Sequence, residues 1–421
     1  RLWSSVWPKE GSRELGSEDN FHHGGADLKQ YVIIGNGAAA NSAAETIRKH
    51  DQTGSIVLFS REPHDFYYTP ALPELISGEK NVQGLTIRGA QWYAQRGIDV
   101  RLGCPVRDID ADRKTVSPAT GGAVRYDALL LATGGNAFVP PIPGADLPGV
   151  FTLRTLDDAV RIRQAMGAGR RVALIGGGLL GLEAGNGLIK AGARVEVVEV
   201  FPRLLPRQTD PEGAGMLQGM LEKMGFGFHL GTETSKIVKA GRVLEVHLEN
   251  GTILEADAVL LSAGVRPELE LAGRLGVAVD KAVQVDDRMR TSLPGIYAAG
   301  DVCEHRGRYY GIWPAAMEQG RVAGSNMAGG PMEYGGTVMA NALKVAGIDL
   351  TAFGEIDADG LHPAHILIDA EKGIYRKLVH DQHQILGGIF LGDPQGAAAA
   401  MKAMKSGTPP GPELMALFPE H

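Results

Sequence analysis

Val172–Glu199 reads VALIGGGLLGLEAGNGLIKAGARVEVVE, and this order of residue types decides the fold. The apolar run Val172–Ile175 suits a strand buried on both faces of a parallel sheet. Gly176, Gly178 and Gly181 follow at G-x-G-x-x-G spacing. Gly176 makes the tight turn, Gly178 lets backbone approach a pyrophosphate, and Gly181 lets helix and strand pack closely. An apolar, helix-competent run continues through Ile189, and Ala191-Gly192 turns the chain into a second strand, Arg194–Val198, that ends on Glu199. The helix N-terminus offers unpaired N–H groups and a positive dipole end to phosphates. An acid about 20 residues beyond the glycines suits a ribose diol. Strand, glycines, helix, strand and acid together specify a dinucleotide cradle, where a bare glycine spacing would specify only a turn.

A second cradle lies upstream. YVIIGNGAAANSAAETIRKH, opening at Tyr31, is again strand, glycine turn and helix, with Gly35, Gly37 and Ala40 at G-x-G-x-x-A spacing. Alanine in the third place still allows close helix–strand packing. SIVLFSRE follows as the next strand, and Glu62 is the acid best placed for a ribose. Two cradles about 140 residues apart imply one nucleotide each.

Between and beyond them the chain repeats itself. ALLLATGG ends a buried strand on Ala132-Thr133-Gly134, and DAVLLSAGVRPELELAG (257–273) ends another in the same way, so two related halves are expected. FYYTPALPELISGE (66–79) reads as a Pro-broken loop entering a short helix, too irregular for a core element. It is either a plain connection or the rim of a ligand site. VPPIPGADLPGV is a crossing between domains, Thr155–Met166 an amphipathic helix, and TSLPGIYAAGDVCE (291–304) a strand ending in Gly300-Asp301 before a helix over 313–330. Residues 336–421 hold the strand-like runs HILID, YRKLVH and ILGGIFLG, a Gly/Ala helix and a Pro-rich tail, a third and smaller α+β unit. Residues 1–28 show no sustained period. They read as an arm with Trp3 and Trp7 as docking side chains and His22-His23 as a solvated pair.

Composition narrows the function. A chain of 421 residues holds two or three domains, and its 58 glycines fit an α/β protein with many tight turns. A net charge of −7 argues against nonspecific binding of nucleic acid. No apolar run reaches a membrane span, and the first residues lack the charged–apolar–small order of a secretory signal. Cys104 and Cys303 are the two cysteines, far apart and outside any C-x-x-C pattern, which points to a reducing, cytoplasmic setting without a disulfide framework or zinc site. No metal centre is expected: His362, His365, His380 and His383 sit in turn or strand segments with no cysteine beside them.

The paired glycine motifs, ATGG, SAGVRP, GIYAAGDVCE and WPAAMEQGRVAG together resemble the FAD- and NAD(P)-dependent two-domain reductases of the pyridine nucleotide–disulfide oxidoreductase superfamily, over about residues 30–400. EPHDFYYTPALPELISGE and VVEVFPRLLPRQTD are most similar to the branch that holds NADH–rubredoxin reductase and the NADH-binding half of nitrite reductase. The resemblance implies two Rossmann-like α/β domains, the NAD domain inserted in the FAD domain, with a C-terminal α+β domain. The expected boundaries are an arm at 1–28, FAD domain at 29–148 and 268–335, NAD domain at 149–267 and interface domain at 336–421. It implies that Gly35, Gly37, Ala40 and Glu62 hold the ADP part of FAD, that Thr133 and Gly134 run beside it, and that Asp301 bonds its ribityl or pyrophosphate part. Gly176, Gly178, Gly181 and Glu199 would hold NADH, with Glu183 facing the nicotinamide. A carboxylate at Glu199 favours NADH over NADPH, and Arg203 and Arg207 close behind it oppose that preference.

Two departures shape the expected chemistry. The C-x-x-x-x-C pair of the disulfide reductases and the single active cysteine of peroxidase and oxidase relatives are both missing after the first glycine motif. Thr69 and Glu74 stand where ferredoxin-reductase relatives carry an Arg and a flavin-contacting Lys. The expectation is therefore hydride transfer from NADH to FAD, then direct passage of electrons to a protein acceptor, rubredoxin-like or iron–sulfur. The rivals are an NADH oxidase using dioxygen and an FAD/NAD-binding subunit of a larger redox complex; a homodimer also fits.

Overall fold

The computed structural model describes residues 28–419 except 167, 338, 339, 346, 347, 382 and 408, with backbone alone over 340–345. The Trp3/Trp7 arm and His22-His23 lie outside the described residues.

The chain opens on Gln30–Ile34 (β1), helix Ala38–His50 (α1), Ser55–Phe59 (β2), Ile98–Arg101 (β3) and Ala128–Leu131 (β4). Helix Leu72–Ser77 (α2) interrupts this run. The second unit holds Val150–Thr152 (β5), helix Leu156–Ala165 (α3), Arg171–Ile175 (β6), helix Leu179–Lys190 (α4), Arg194–Glu199 (β7), helix Pro211–Lys223 (α5), Phe226–Leu230 (β8) and Ala258–Leu261 (β9). Ile296–Ala298 (β10) and helix Trp313–Met327 (α6) then return to the first unit. Across the first sheet the order is β10-β4-β1-β2-β3, and across the second β5-β9-β6-β7-β8, all parallel. The two sheets are built to one plan. The central strands β1 and β6 are flanked by the corresponding neighbours, in the register Tyr31↔Ala128 and Val172↔Ala258. This is the repetition that ALLLATGG and VLLSAG carry in the sequence.

Continuous burial explains the composition of these strands. Every residue of β4 and β9 is buried, as parallel strands covered on both faces require; the second sheet carries helices on one face and, on the other, Ile237, Leu244 and Val246 of an antiparallel three-stranded sheet packed on Val259 and Leu261. The alanines of α1 have a separate cause. A Cβ on Gly320 or Gly324 of α6 would stand 2.2 Å from the Ala39 carbonyl oxygen or 2.5 Å from that of Ala43, so α1 and α6 touch backbone to backbone. Only small residues on both helices permit this approach. Thr155 caps α3 with a reciprocal capping box to Asp158, which sets the start of that helix.

The segment 66–79 differs from its reading as a stretch too irregular for a core. Leu72, Pro73, Leu75 and Ile76 are all buried. A Cβ on Gly187 of α4 would lie 2.6 Å from the Pro73 carbonyl oxygen, so α2 is seated directly on the helix of the second cradle. Pro70 and Pro73, both at its N-terminal end, start this one-and-a-half-turn helix, and Gly78 in the left-handed conformation ends it. Its irregularity is the shape of a wedge between the two nucleotide units.

The C-terminal sheet is antiparallel, with Ala340–Val345 (β11), Ile348–Gly354 (β12), Ala364–Asp369 (β13), Ile374–His380 (β14) and Ile385–Leu391 (β15) in the order β11-β12-β15-β14-β13. Helix Pro394–Ser406 (α7) follows. The sequence showed three of the five strands; β11 and β12 lack the apolar-run signal. No helix among the described residues is long and apolar enough to cross a membrane.

Candidate active site

Both cradles depend on a glycine that nothing else can replace. Gly35 has φ +119°, and a Cβ there would sit 2.0 Å from the Ala132 carbonyl oxygen. Gly176 has φ +110°, with its Cβ position 2.3 Å from the Ser262 carbonyl oxygen. In each case the turn is clamped by the end of the neighbouring strand, β4 or β9, which is why those strands end in small residues. Gly37 and Gly178 are the N-caps of α1 and α4, and a Cβ on either would meet nothing within 4 Å. The first turns of both helices carry no acid, so their positive ends stand open to an anion. Gly181 is closed by contrast: its Cβ position is 2.6 Å from the Gly176 carbonyl oxygen, the close helix–loop contact the motif anticipates. Ala40 is fully buried in the corresponding place.

A cavity of about 380 Å³ opens in front of the first cradle, lined by Gly35, Gly37, Glu62, Thr133, Gly134 and Arg154 among others. Glu62 accepts a hydrogen bond from the Tyr67 hydroxyl at 2.8 Å, and that hydroxyl accepts from the Leu156 N–H at 3.0 Å. Burial, then the neighbouring Glu62 charge, push the Tyr67 phenol far up, so it keeps its proton and stays a donor. Asp301 stands just behind the lining residues and is tied to them by Arg154, whose Nη2 lies 2.7 Å from its Oδ2 while Nε donates to the Gly135 carbonyl at 2.9 Å. Gly300, at φ +85°, packs on Ala39 and so brings Asp301 to the N-terminal end of α1. The C-terminal ends of β10, β4 and β1 thus gather Asp301, Thr133-Gly134 and Gly35 on one edge of the sheet, where ligands of open α/β folds bind.

At the second cradle Glu199 is buried and already engaged. Its Oε2 accepts from the Gly177 N–H at 2.7 Å and its Oε1 from the Phe201 N–H at 3.0 Å. The acid therefore also pins the glycine loop to the segment after β7, a task sequence spacing does not reveal. Glu183 is half-buried in the second turn of α4. The N-terminus of α6 begins at Trp313. That ring stacks on Phe66 at 5.7 Å and 7° and meets the edge of Tyr68 at 5.0 Å.

Several residues at the first cradle carry no signal in the sequence. Arg154 is one. Arg61 is another: it donates to Asn136 at 2.6 Å, and Asn136 donates to Glu268 at 2.5 Å, across the cavity mouth. Beneath the first glycine loop, Asn41 donates to the Asn36 carbonyl at 3.0 Å and accepts from the Tyr93 hydroxyl at 2.8 Å.

Residues 29–320 match the model of the pyridine nucleotide-disulphide oxidoreductases. The chain belongs to this family. Residues 340–408 match the rubredoxin NAD+ reductase C-terminal domain. The nitrite reductase [NAD(P)H] of Bacillus subtilis (strain 168) is 36% identical over 367 residues, covering 87% of this chain and 46% of its own length. The rubredoxin-NAD(+) reductase of Pseudomonas putida is 33% identical over 306 residues, covering 71% of this chain and 80% of its own. Among solved structures, a covalent putidaredoxin reductase–putidaredoxin complex superposes with a TM-score of 0.84 at 26% identity, over 93% of this chain and 96% of that one. The present chain thus spans about half the length of the nitrite reductase relative. Members of the family bind FAD and NAD(P)H, and this pyridine nucleotide-disulphide oxidoreductase is an enzyme of that flavin-dependent kind.

Both cysteines of this oxidoreductase are buried and outside any disulfide. Cys303 is 1% exposed, and burial, with Asp301 and Glu304 beside it, pushes its thiol far up. Its Sγ donates weakly to the Gly300 carbonyl at 3.4 Å. Cys104 is buried against Thr120, 3.3 Å from its hydroxyl, and forms no disulfide, although it does touch the wall of the cavity. Of the four histidines considered as ligands, His365 and His380 stack face to face at 4.7 Å and 14°. Among the described residues no three His, Cys, Asp or Glu side chains gather to hold a metal ion.

Proposed function

We propose that this chain takes hydride from NADH onto FAD and passes the electrons to a protein carrier, rubredoxin-like or iron–sulfur, without a thiol relay. One observation carries the reading: the chain folds two separately clamped cradles, and the sequence has no cysteine pair beside either. FAD fits the first cradle. Gly37 leaves the α1 N-terminus open, and the Tyr309 hydroxyl is buried without a partner among the described residues, beside Asp301. Burial, then Asp301, push that phenol up, so it presents a proton to any acceptor placed there. When bound, FAD accepts a hydride and can release its electrons singly, which matches a one-electron carrier.

The chain's own residues do the rest. The α1 N-terminus and Gly37 bind the pyrophosphate, Glu62 receives a ribose hydroxyl, and Thr133-Gly134 run alongside with Arg154 holding Asp301 in place. The α4 N-terminus and Gly178 bind the second pyrophosphate, while Glu199 accepts from the adenosine ribose. Glu183 accepts from the nicotinamide carboxamide and sets the ring's position. Hydride transfer is sensitive to such placement, so Glu183→Gln is expected to slow flavin reduction by about a hundredfold. The melting temperature should barely move; a fall in stability with an unchanged rate would make Glu183 only a helix-start acid. The boundaries expected from the sequence, and a cytoplasmic setting that keeps both cysteines reduced, belong to the same proposal.

A larger redox complex is the second reading, favoured by the likeness to the NADH-dependent phenylglyoxylate dehydrogenase subunit epsilon of Aromatoleum evansii, 34% identical over 369 residues, 86% of this chain and 87% of its own length. The acceptor is tested by reducing the protein anaerobically with NADH and mixing it with rubredoxin, an iron–sulfur carrier or oxygenated buffer. At equal concentrations a carrier should reoxidise the flavin at least about tenfold faster than dioxygen, a barrier lower by about 1.4 kcal/mol. Faster reoxidation by dioxygen would make the protein an oxidase.

A further inference from the structure

Two sequence segments that the proposed function does not use, RLLPRQTD before α5 and YRKLVH in β14, meet in the structure. Asp210 ends the first. Its Oδ1 accepts from the Gly213 N–H at 3.0 Å and so caps α5. Its Oδ2 receives the Tyr375 hydroxyl and lies 3.2 Å from Lys377 Nζ. Lys377 also donates to the Asp357 carbonyl at 2.7 Å. Tyr375, Lys377 and Asp210 are 0%, 5% and 2% exposed, so a hydrogen-bonded charge pair is buried between the second nucleotide unit and the C-terminal sheet. A buried pair of this kind is weak evidence for stability, and its best-attested use is fixing register.

What it fixes can be followed residue by residue. From Asp210 the chain runs back through Thr209, whose hydroxyl donates to the Leu204 and Leu205 carbonyls at 2.6 and 3.0 Å. Leu205 is held in the left-handed region at φ +50°, a costly conformation that persists only where its surroundings enforce it. Leu204 is fully buried against Gly177, its Cδ2 2.9 Å from where a Cβ would stand. Gly177 and Phe201 donate to the Glu199 carboxylate. An unbroken path of short contacts therefore runs from Tyr375 and Lys377 in one domain to the acid at the edge of the nucleotide cradle in another.

We propose that Tyr375 and Lys377 are positioning residues for the pyridine-nucleotide site: by anchoring Asp210 they fix the 200–210 loop and hold the Glu199 carboxylate where it discriminates a ribose 2′-hydroxyl from a 2′-phosphate. This rests on the assignment of Glu199 to the adenosine ribose. Loosening the anchor lets the carboxylate drift, which weakens its bond to the hydroxyl and lessens its repulsion of the phosphate.

The test is calorimetric titration of the FAD-loaded protein with ADP-ribose and with 2′-phospho-ADP-ribose, which report the adenosine half alone. Tyr375→Phe removes one hydroxyl and leaves the ring packed on Gly213. It should lower the affinity ratio between the two ligands about tenfold with FAD content unchanged. Lys377→Met is read the same way and decides the matter should Tyr375→Phe not fold. A ratio within about twofold of the parent, with only the melting temperature lowered, overturns the proposal. Glu199→Gln separates the two claims. If it collapses the ratio while the Tyr375 and Lys377 variants leave it intact, the positioning role alone is wrong; if it leaves the ratio unchanged, the ribose assignment and the inference both fall.

Discussion

Gly35→Ala is expected to yield a colourless protein, and Gly176→Ala a yellow one that NADH no longer reduces. The two glycines occupy equivalent places in the two sheets, and each meets a backbone carbonyl that cannot retreat. The Ala132 oxygen would lie 2.0 Å from a Cβ on Gly35, and the Ser262 oxygen 2.3 Å from one on Gly176. Both oxygens belong to residues that directly follow the buried interior strands β4 and β9, so relief must come from the glycine loop itself. The loop already has φ above +100° at both positions, where a side chain is strained whatever the space. Moving it carries the helix N-terminal N–H groups off the phosphates. Overpacking costs about 1–3 kcal/mol in most cores, and here it falls on the ligand's own contacts. A loss of affinity of at least about a hundredfold, ~2.7 kcal/mol, follows for the nucleotide of that cradle and not the other. Flavin content by absorbance and flavin reduction by NADH read the two outcomes separately. The reverse pattern, flavin lost with Gly176→Ala and kept with Gly35→Ala, would exchange the assignments.

Glu199→Ala is expected to reduce the preference for NADH over NADPH by about ten- to a hundredfold. Hydrogen bonds to charged groups contribute about 1.5–3 kcal/mol, and the alanine loses both the bond to the 2′-hydroxyl and the repulsion of a 2′-phosphate. The ratio of kcat/KM values for the two nucleotides measures this, and FAD should remain bound. The structure adds a second effect. The Gly177 and Phe201 N–H groups lose their acceptor, so stability should fall by about 1–3 kcal/mol as well. Glu199→Gln keeps an acceptor in the side chain while removing the charge, so it should lose selectivity with a smaller loss of stability. Arg203, which the sequence set against this preference, donates within its own loop to the Pro206 carbonyl at 3.4 Å; Arg207 is exposed. Unchanged selectivity in Glu199→Ala would remove the acid from the site.

What could be read from the sequence is what local geometry dictates. Gly35, Gly37, Gly176 and Gly178 stand out because their spacing is the geometry of a phosphate turn. β4 and β9 stand out because strands buried on both faces are apolar throughout. The resemblance between those strands anticipated the matching sheet orders. Contacts between distant segments leave no such trace. Arg154 precedes an ordinary capped helix, and only folding brings it 2.7 Å from Asp301, which lies 147 residues further on. Arg61, Asn136 and Glu268 are equally silent, two lying in connections and Asn136 in the short strand Gly135–Ala137. The burial of 66–79 leaves no trace in the sequence because prolines and a lack of period usually mark surface loops, whereas here they shape a short helix that seats on α4. Glu199 was legible as an acid at the right place, but its second task, holding the glycine loop to the chain beyond β7, depends on a backbone path that spacing does not encode.

The most direct test of the account is an anaerobic titration of the purified protein with NADH, followed by flavin absorbance. A flavin that passes electrons straight to its acceptor, with Cys104 and Cys303 both buried and apart from any disulfide, has no second redox centre to fill. The account predicts full bleaching at one NADH per FAD. A protein without bound FAD, or one that consumes a second equivalent of NADH before reduction is complete, would contradict it.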